Sequence, residues 1–154
     1  MASSSTRYLT WALMGWASFV FLQSLFFKFQ GHEETEIIFS TISEWMLGIR
    51  WLSWIAPIFE SVGGYAIGIA ELAAVALIWI PKTRLVGAIL GLAVISGAIF
   101  FHLATPLGVV RVINAAGDTD GGALFYMACS VWVSCALLFI LTKKMATSPS
   151  VQSS

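Results

Sequence analysis

The chain of 154 residues is strongly apolar, with 58% hydrophobic residues, 10% charged residues and a formal net charge of zero. An ordinary soluble domain carries roughly 25% charged residues, so the composition indicates a single membrane domain. The neutral charge balance gives no electrostatic reason to expect nucleic acid as a partner.

Four stretches meet the requirement of about 20 mostly apolar residues for a membrane span. They are residues 8–27, 62–80, 85–103 and 123–141. Backbone amides in hydrocarbon must bond within their own helix, and none of these stretches has the alternating polar pattern of a barrel strand. The sequence therefore predicts an all-α fold, a transmembrane four-helix bundle over residues 8–142. The serine-rich ends, residues 1–7 and 143–154, are predicted to be disordered.

Charge distribution predicts the orientation of these spans. An even number of spans places both termini on one side, and that side collects Arg7, Lys82, Arg84, Lys143 and Lys144 without an acidic residue. By the positive-inside rule, both termini are expected in the cytoplasm and the long first loop outside.

The outer loop between the first two spans contains an amphipathic segment, residues 35–56. Its apolar residues recur at helical spacing: Ile38, Ile42, Trp45, Met46, Ile49, Leu52 and Ile55. Such a segment is expected to lie on the membrane surface or to cap the bundle, and a packed lid without a ligand of its own is the simpler interpretation.

Glu71 lies near the middle of the second span. A charge at that depth costs on the order of 2.5 to 3.5 kcal/mol on insertion scales, so it is expected to face protein or a polar cavity. A protonated carboxyl group bonded to a neighbouring helix is the structural alternative to a functional role.

The second and third spans, joined by residues 81–84, are predicted to form an antiparallel hairpin. Each carries a stripe of small residues that favours close helix packing in lipid: Gly64 and Gly68 on the second span, Gly87 and Gly91 on the third. If these stripes face each other, Glu60 comes close enough to His102 for a hydrogen bond.

This packing predicts a polar track of four candidate ligand-binding residues, namely Glu60, His102, Lys28 and Glu71. Glu71 lies roughly 12 Å deeper than the level of His102, at 1.5 Å per residue. A few polar groups in an apolar cleft suit a small amphiphile such as a quinone or lipid. In this interpretation Glu60 and His102 bind the head group, Lys28 balances charge, and Glu71 accepts or relays a proton. The alternatives are a solvated helix start for Glu60, a backbone-bonded His102 and a snorkelling Lys28.

No catalytic or metal-binding constellation is present in the sequence. Cys129 and Cys135 are six residues apart on divergent faces of one helix, which argues against a thiol pair. The run of residues 118–122 lacks the remaining ligands of a calcium loop and is predicted to be a turn in which Asp120 caps the fourth span. A self-contained enzyme is therefore the least favoured class.

Short motifs in order along residues 8–142 resemble the DoxX-like family of small four-helix integral membrane proteins. They are Phe27-Lys28-Phe29, the segment Gly64 to Leu72, Ala98 to Leu103, and Asp120-Gly121-Gly122. The resemblance implies a bundle in the bacterial inner membrane. It also implies kinship with proteins of quinone-dependent sulfur oxidation and of membrane redox or maturation complexes.

Residues and resemblance together predict an accessory or ligand-binding subunit of a membrane redox or maturation complex. Quinone is the candidate cofactor. The expected partners are the lipid bilayer and other membrane redox or maturation subunits, and the chain could also form an oligomer. A small proton-coupled transporter would also need an intramembrane carboxylate. A purely structural interaction protein would use the glycine stripes to dock other helices.

Overall fold

The computed structural model describes residues 4–147, and five helices dominate this part of the chain. They are α1 (Ser4–Phe29), α2 (Glu33–Leu47), α3 (Ala56–Trp79), α4 (Arg84–Ala104) and α5 (Ala123–Thr147). Helices α1, α3, α4 and α5 are long and apolar enough to cross a membrane. The predicted all-α four-helix bundle is confirmed, and the protein is a multi-pass membrane protein.

The four long helices form a ring in which neighbours run antiparallel. Helix α1 packs against α3 and α5, and α4 packs against the same two helices from the opposite corner. The ends of α1 and α5 nearest the chain termini share one end of the bundle, called here the terminal end. The other end, the α2 end, carries α2 and the connection between α4 and α5.

All four long helices extend beyond the predicted spans, α4 by only one residue at each end. Helix α3 begins at Ala56 rather than residue 62, with Pro57 in its first turn, where the missing N–H is tolerated. Residues 4–7 and 143–147, predicted to be disordered, continue α1 and α5. These short stretches contain no Gly or Pro, so nothing stops the helical hydrogen bonds at the membrane boundary. Residues 1–3 and 148–154 of the predicted disordered termini lie outside the described residues.

Helix α2 covers only the first part of the predicted amphipathic segment, residues 35–56. It ends at Leu47, and residues 48–55 form successive tight turns, with Ile49 N donating to Met46 O at 3.0 Å. The apolar face of α2 packs on the first turn of α3 and on Leu107, and Ser43 Oγ donates to Ala56 O at 3.1 Å. The segment therefore caps the bundle.

The apolar core of the four long helices lies in the middle of the bundle and in its half near the termini. A small cluster of Met14, Ile78, Ala88 and Leu138 joins all four long helices there. A second cluster, built around Phe21, Val75, Ile95 and Val131, occupies the middle of the bundle. Together these layers close the bundle below its centre, and the α2 end is left less filled.

The glycines of α3 and α4 do not face one another as predicted. Gly64 lies under the ring of Phe39 from α2, and Gly68 lies against Phe29 and Leu25 from α1. Gly91 instead faces α5 and α1. The α3 stripe thus accommodates large side chains from α1 and α2, which turns it away from α4.

At Gly87, helix α4 lies directly against the backbone of α3. A Cβ atom placed there would lie 2.6 Å from the backbone N of Ile78 and 2.8 Å from the backbone C of Leu77. Neither backbone atom can move without shifting the whole of α3. Gly97 on the same helix has nothing within 4 Å of such a Cβ.

Gly87→Ala is therefore expected to destabilise the bundle by about 1–3 kcal/mol, the usual cost of overpacking. Gly97→Ala is the matched control, because it adds the same methyl group to the same helix without a clash. Thermal unfolding in detergent, followed by circular dichroism, would compare the two. Equal midpoints for both variants would contradict the close approach of α3 and α4.

Candidate functional site

A cavity of about 640 Å³ occupies the half of the bundle at the α2 end. Its walls come from α1, α3, α4 and α5, its roof from α2, and most of its lining is apolar. Small residues make room for it: Ala66 and Ala70 on α3, and Ala93, Gly97 and Ala98 on α4. The mid-bundle core closes its floor, where Phe21 and Ile95 belong to both the core and the lining.

A buried ion pair joins α1 to α3 in the wall of this cavity. Lys28 Nζ lies 2.7 Å from both carboxylate oxygens of Glu71 and donates to Ser24 Oγ at 2.6 Å. The Glu71 side chain is 6% exposed and that of Lys28 14%. An ammonium group has three donors, and three acceptor atoms surround it here. The donors of the Lys28 ammonium are thus all satisfied by the protein itself.

The second polar group of the cavity is built by the connection between α4 and α5. Residues 111–120 fold into a miniature hairpin with an antiparallel bridge between Val112 and Thr119. Asp120 N donates to Arg111 O at 3.1 Å, and Arg111 N donates to Asp120 Oδ1 at the same distance. This hairpin carries the Arg111 side chain inward beneath α2.

Arg111 is almost fully buried, at 2% exposure, and lines the cavity. Its Nη2 donates to Glu34 Oε1 of α2, and its Nε lies 3.4 Å from Asp120 Oδ2. Burial lowers the pKa of Arg111 against the opposing effect of Asp120, yet a guanidinium stays protonated in proteins. Among the described residues, neither Nε nor Nη1 has a hydrogen-bond acceptor.

Asp120 connects this arginine to the start of α5. Its Oδ1 accepts from Gly122 N at 2.9 Å, and its Oδ2 accepts from Leu124 N at 3.3 Å, as the predicted capping turn requires. Burial alone would raise the pKa of Asp120. The backbone hydrogen bonds from Gly122, Arg111 and Leu124, together with the Arg111 charge, hold this pKa below its ordinary value. Asp120 is therefore ionised and fixed in place.

The N-terminal turn of α2 is held to the same hairpin by two glutamates. Glu33 Oε1 accepts from Ala115 N at 2.8 Å, while Glu34 binds Arg111. Gly31, with φ at +62°, allows the chain to reverse between α1 and α2. The roof of the cavity is thus attached to the α4–α5 connection by charge-assisted contacts.

His102 is buried at 4% exposure and lines the cavity, but it does not bind Glu60. Its Nδ1 lies 2.6 Å from Gly108 O. Since a carbonyl oxygen only accepts, Nδ1 carries the proton, and Nε2 of a neutral ring is left as an acceptor. Glu60 is exposed at the start of α3 and lies outside the cavity lining. The predicted Glu60–His102 hydrogen bond is wrong, because the α3 glycine face turns towards α1 and α2.

The structure thus brings three of the four predicted ligand-binding residues, Lys28, Glu71 and His102, into one cavity. Arg111 and Glu34 also line this cavity, although neither was predicted from the sequence. The sequence does contain a feature that points to Arg111, because this residue is the one charge in the run of residues 103–117. Asp118 and Asp120, its possible partners, follow after a turn at Asn114 to Gly117.

Comparison of the chain with protein-family models, with curated proteins and with solved structures gives no match.

The Lys28–Glu71 pair makes a testable contribution to stability. Lys28→Met leaves a buried carboxylate without its partner and is expected to cost on the order of 3 kcal/mol or more. The double variant Lys28→Met, Glu71→Met removes both charges, so it is expected to recover most of that loss. Thermal midpoints of the wild type, both single variants and the double variant in one detergent complete the cycle. Additive losses would show that the two side chains act independently.

Asp120 should make stability depend on pH. Its pKa is lower in the folded protein than in the unfolded chain, about 3.9, so its ionised form stabilises the fold above that value. This contribution is lost as pH falls through the folded-state pKa. Asp120→Asn, which keeps a capping side chain, is expected to unfold at a lower temperature than the wild type at pH 6. The difference should shrink below about pH 4; a difference that stays constant with pH would contradict this role.

Proposed function

We propose that the protein is a membrane subunit that holds a small amphiphile, a quinone or a lipid, in the cavity at the α2 end. The observation that carries this proposal is the cavity itself: about 640 Å³ of mostly apolar space beside two separate groups of buried charges. Ligand sites of this kind combine apolar walls with a few polar groups that fix orientation.

The size of the cavity supports an occupant. Side chains that line empty space lose van der Waals contacts on that side, so a space of this size favours an occupant. Water is a poor filler, because it needs two to four polar partners and most of this wall is apolar. An apolar chain restores the lost contacts.

The two alternative functions receive less support from the geometry. Transporters often bind substrate at broken helices, whereas α1, α3, α4 and α5 each run as one continuous helix. A structural partner would dock other helices on exposed glycine stripes, but Gly64 and Gly68 already face rings from α2 and α1. The cavity is the feature that these alternatives leave without a role.

The wider setting follows from the sequence resemblance. A DoxX-like membership would place this binding subunit beside redox or maturation partners in the bacterial inner membrane, with both termini in the cytoplasm. The site offers hydrogen bonds and charge, and it has no nucleophile motif or thiol pair. We therefore assign the protein a binding role and leave the chemistry to a partner.

Blocking the cavity should remove the ligand without unfolding the protein. Gly97→Phe places a ring in the cavity, since nothing lies within 4 Å of a Cβ at this position. The amount of quinone or lipid that co-purifies, measured by solvent extraction and mass spectrometry, is expected to fall several-fold relative to the wild type.

Gly15→Phe is the matched control. Gly15 also has nothing within 4 Å of a Cβ, but it lies on α1 away from the cavity lining. This variant is expected to retain the ligand. Identical ligand content in the wild type, the Gly97 variant and the Gly15 variant would rule out the cavity as the binding site.

A further inference from the structure

We propose that Arg111 is the head-group receptor of the cavity and that it selects an amphiphile with an uncharged carbonyl head. The inference rests on the proposed function and extends it from a binding site to a class of ligand. It is carried by the unused hydrogen-bond donors of Arg111 and by the charges that surround them.

Unused donors identify where the head group binds. Arg111 is buried, with 2% of its surface exposed. Its Nη1 and Nε have no hydrogen-bond acceptor among residues 4–147. A buried donor without an acceptor costs about 1–3 kcal/mol, and more when the group is charged. A ligand oxygen supplies what is missing. Lys28, the other cation of the cavity, already has three acceptors and gains nothing from a ligand.

The charges around Arg111 exclude an anionic head. Glu34 and Asp120 are two carboxylates against one guanidinium, so the group already carries a surplus of negative charge. A phosphate or carboxylate head would add a further negative charge where the effective dielectric constant is low. Lys28 cannot offset this charge, because it is paired with Glu71.

A cationic head group is excluded because it cannot accept a hydrogen bond. The groups that lack partners are N–H donors, and a quaternary ammonium has no lone pair to accept from them. A neutral carbonyl oxygen satisfies the donor without changing the charge of the site, and the apolar walls hold the tail.

The test uses the full chain in lipid nanodiscs and four probes of one chain length. A tritiated long-chain methyl ketone is the reference ligand, measured by scintillation proximity. The hydrocarbon without the oxygen, the alkyl sulfonate and the alkyl trimethylammonium compete for the site. The hydrocarbon differs from the ketone only in lacking the acceptor oxygen. This comparison therefore tests the hydrogen bond without any change in the protein.

Arg111→Lys is the complementary change in the protein. It keeps a positive charge beside Glu34 and Asp120 but removes the forked guanidinium. Because a hydrogen bond from a charged group is worth about 1.5 kcal/mol or more, ketone affinity is expected to fall about tenfold or more. Hydrocarbon affinity is expected to stay unchanged. Arg50→Lys, at an exposed position outside the cavity lining, is the matched control and should change neither.

Each result has a distinct meaning. In the wild type, the ketone is expected to bind about tenfold more tightly than the other three probes. Sulfonate binding as tight as that of the ketone would overturn the uncharged head. Equal losses for ketone and hydrocarbon in Arg111→Lys would show that the arginine only supports the fold.

Failure of the proposed function would look different. If no probe binds the wild type saturably, or if Gly97→Phe leaves ketone binding intact, the cavity is not the site and both proposals fall. If Gly97→Phe abolishes ketone binding but Arg111→Lys leaves it intact, the cavity remains the site and only the head-group assignment is overturned.

Discussion

The buried contact between Lys28 and Glu71 is the interaction on which the rest of this bundle depends. Glu71 lies in the middle of a membrane helix, where an unpaired charge is costly, so α3 must turn this face towards a partner. Lys28 supplies that partner from α1. The rotation that results also places Gly68 against α1 and leaves the opposite side of α3 for α4. One ion pair thereby sets how the helices of the ring face one another.

The two cations of the cavity differ in how far the protein satisfies them. Lys28 has three donors and finds three acceptor atoms in Ser24 and Glu71. The guanidinium of Arg111 has five donors in a fixed plane, and Glu34 is its one hydrogen-bonded side-chain acceptor among the described residues. The first cation stabilises the fold, whereas the second retains the capacity to bind.

The sequence predicted the spans and the burial of Glu71, because hydrophobic length and the cost of charge in lipid are local properties of each segment. It did not predict which way each helix faces. Gly64, Gly68 and Glu60 were assigned to the α4 side, since sequence spacing gives a stripe but not its partner. Arg111 was missed for a related reason: its burial depends on a hairpin and on α2, which are brought together only by the tertiary fold.

The roof of the cavity follows from the same packing and limits how an occupant arrives. Phe39 of α2, Phe59 of α3 and Phe101 of α4 line the cavity and lie in a row of tilted rings, with successive ring centroids 5.4 Å and 5.7 Å apart. These rings connect α2, α3 and α4 at the α2 end. Beneath them, the small residues of α3 and α4 leave the space of the cavity. The rings form an apolar roof, and the long helices that wall the cavity are apolar enough to cross a membrane. If the proposed amphiphile binds here, its expected route of exchange is therefore sideways into the bilayer, with its tail among the small residues and its head at Arg111.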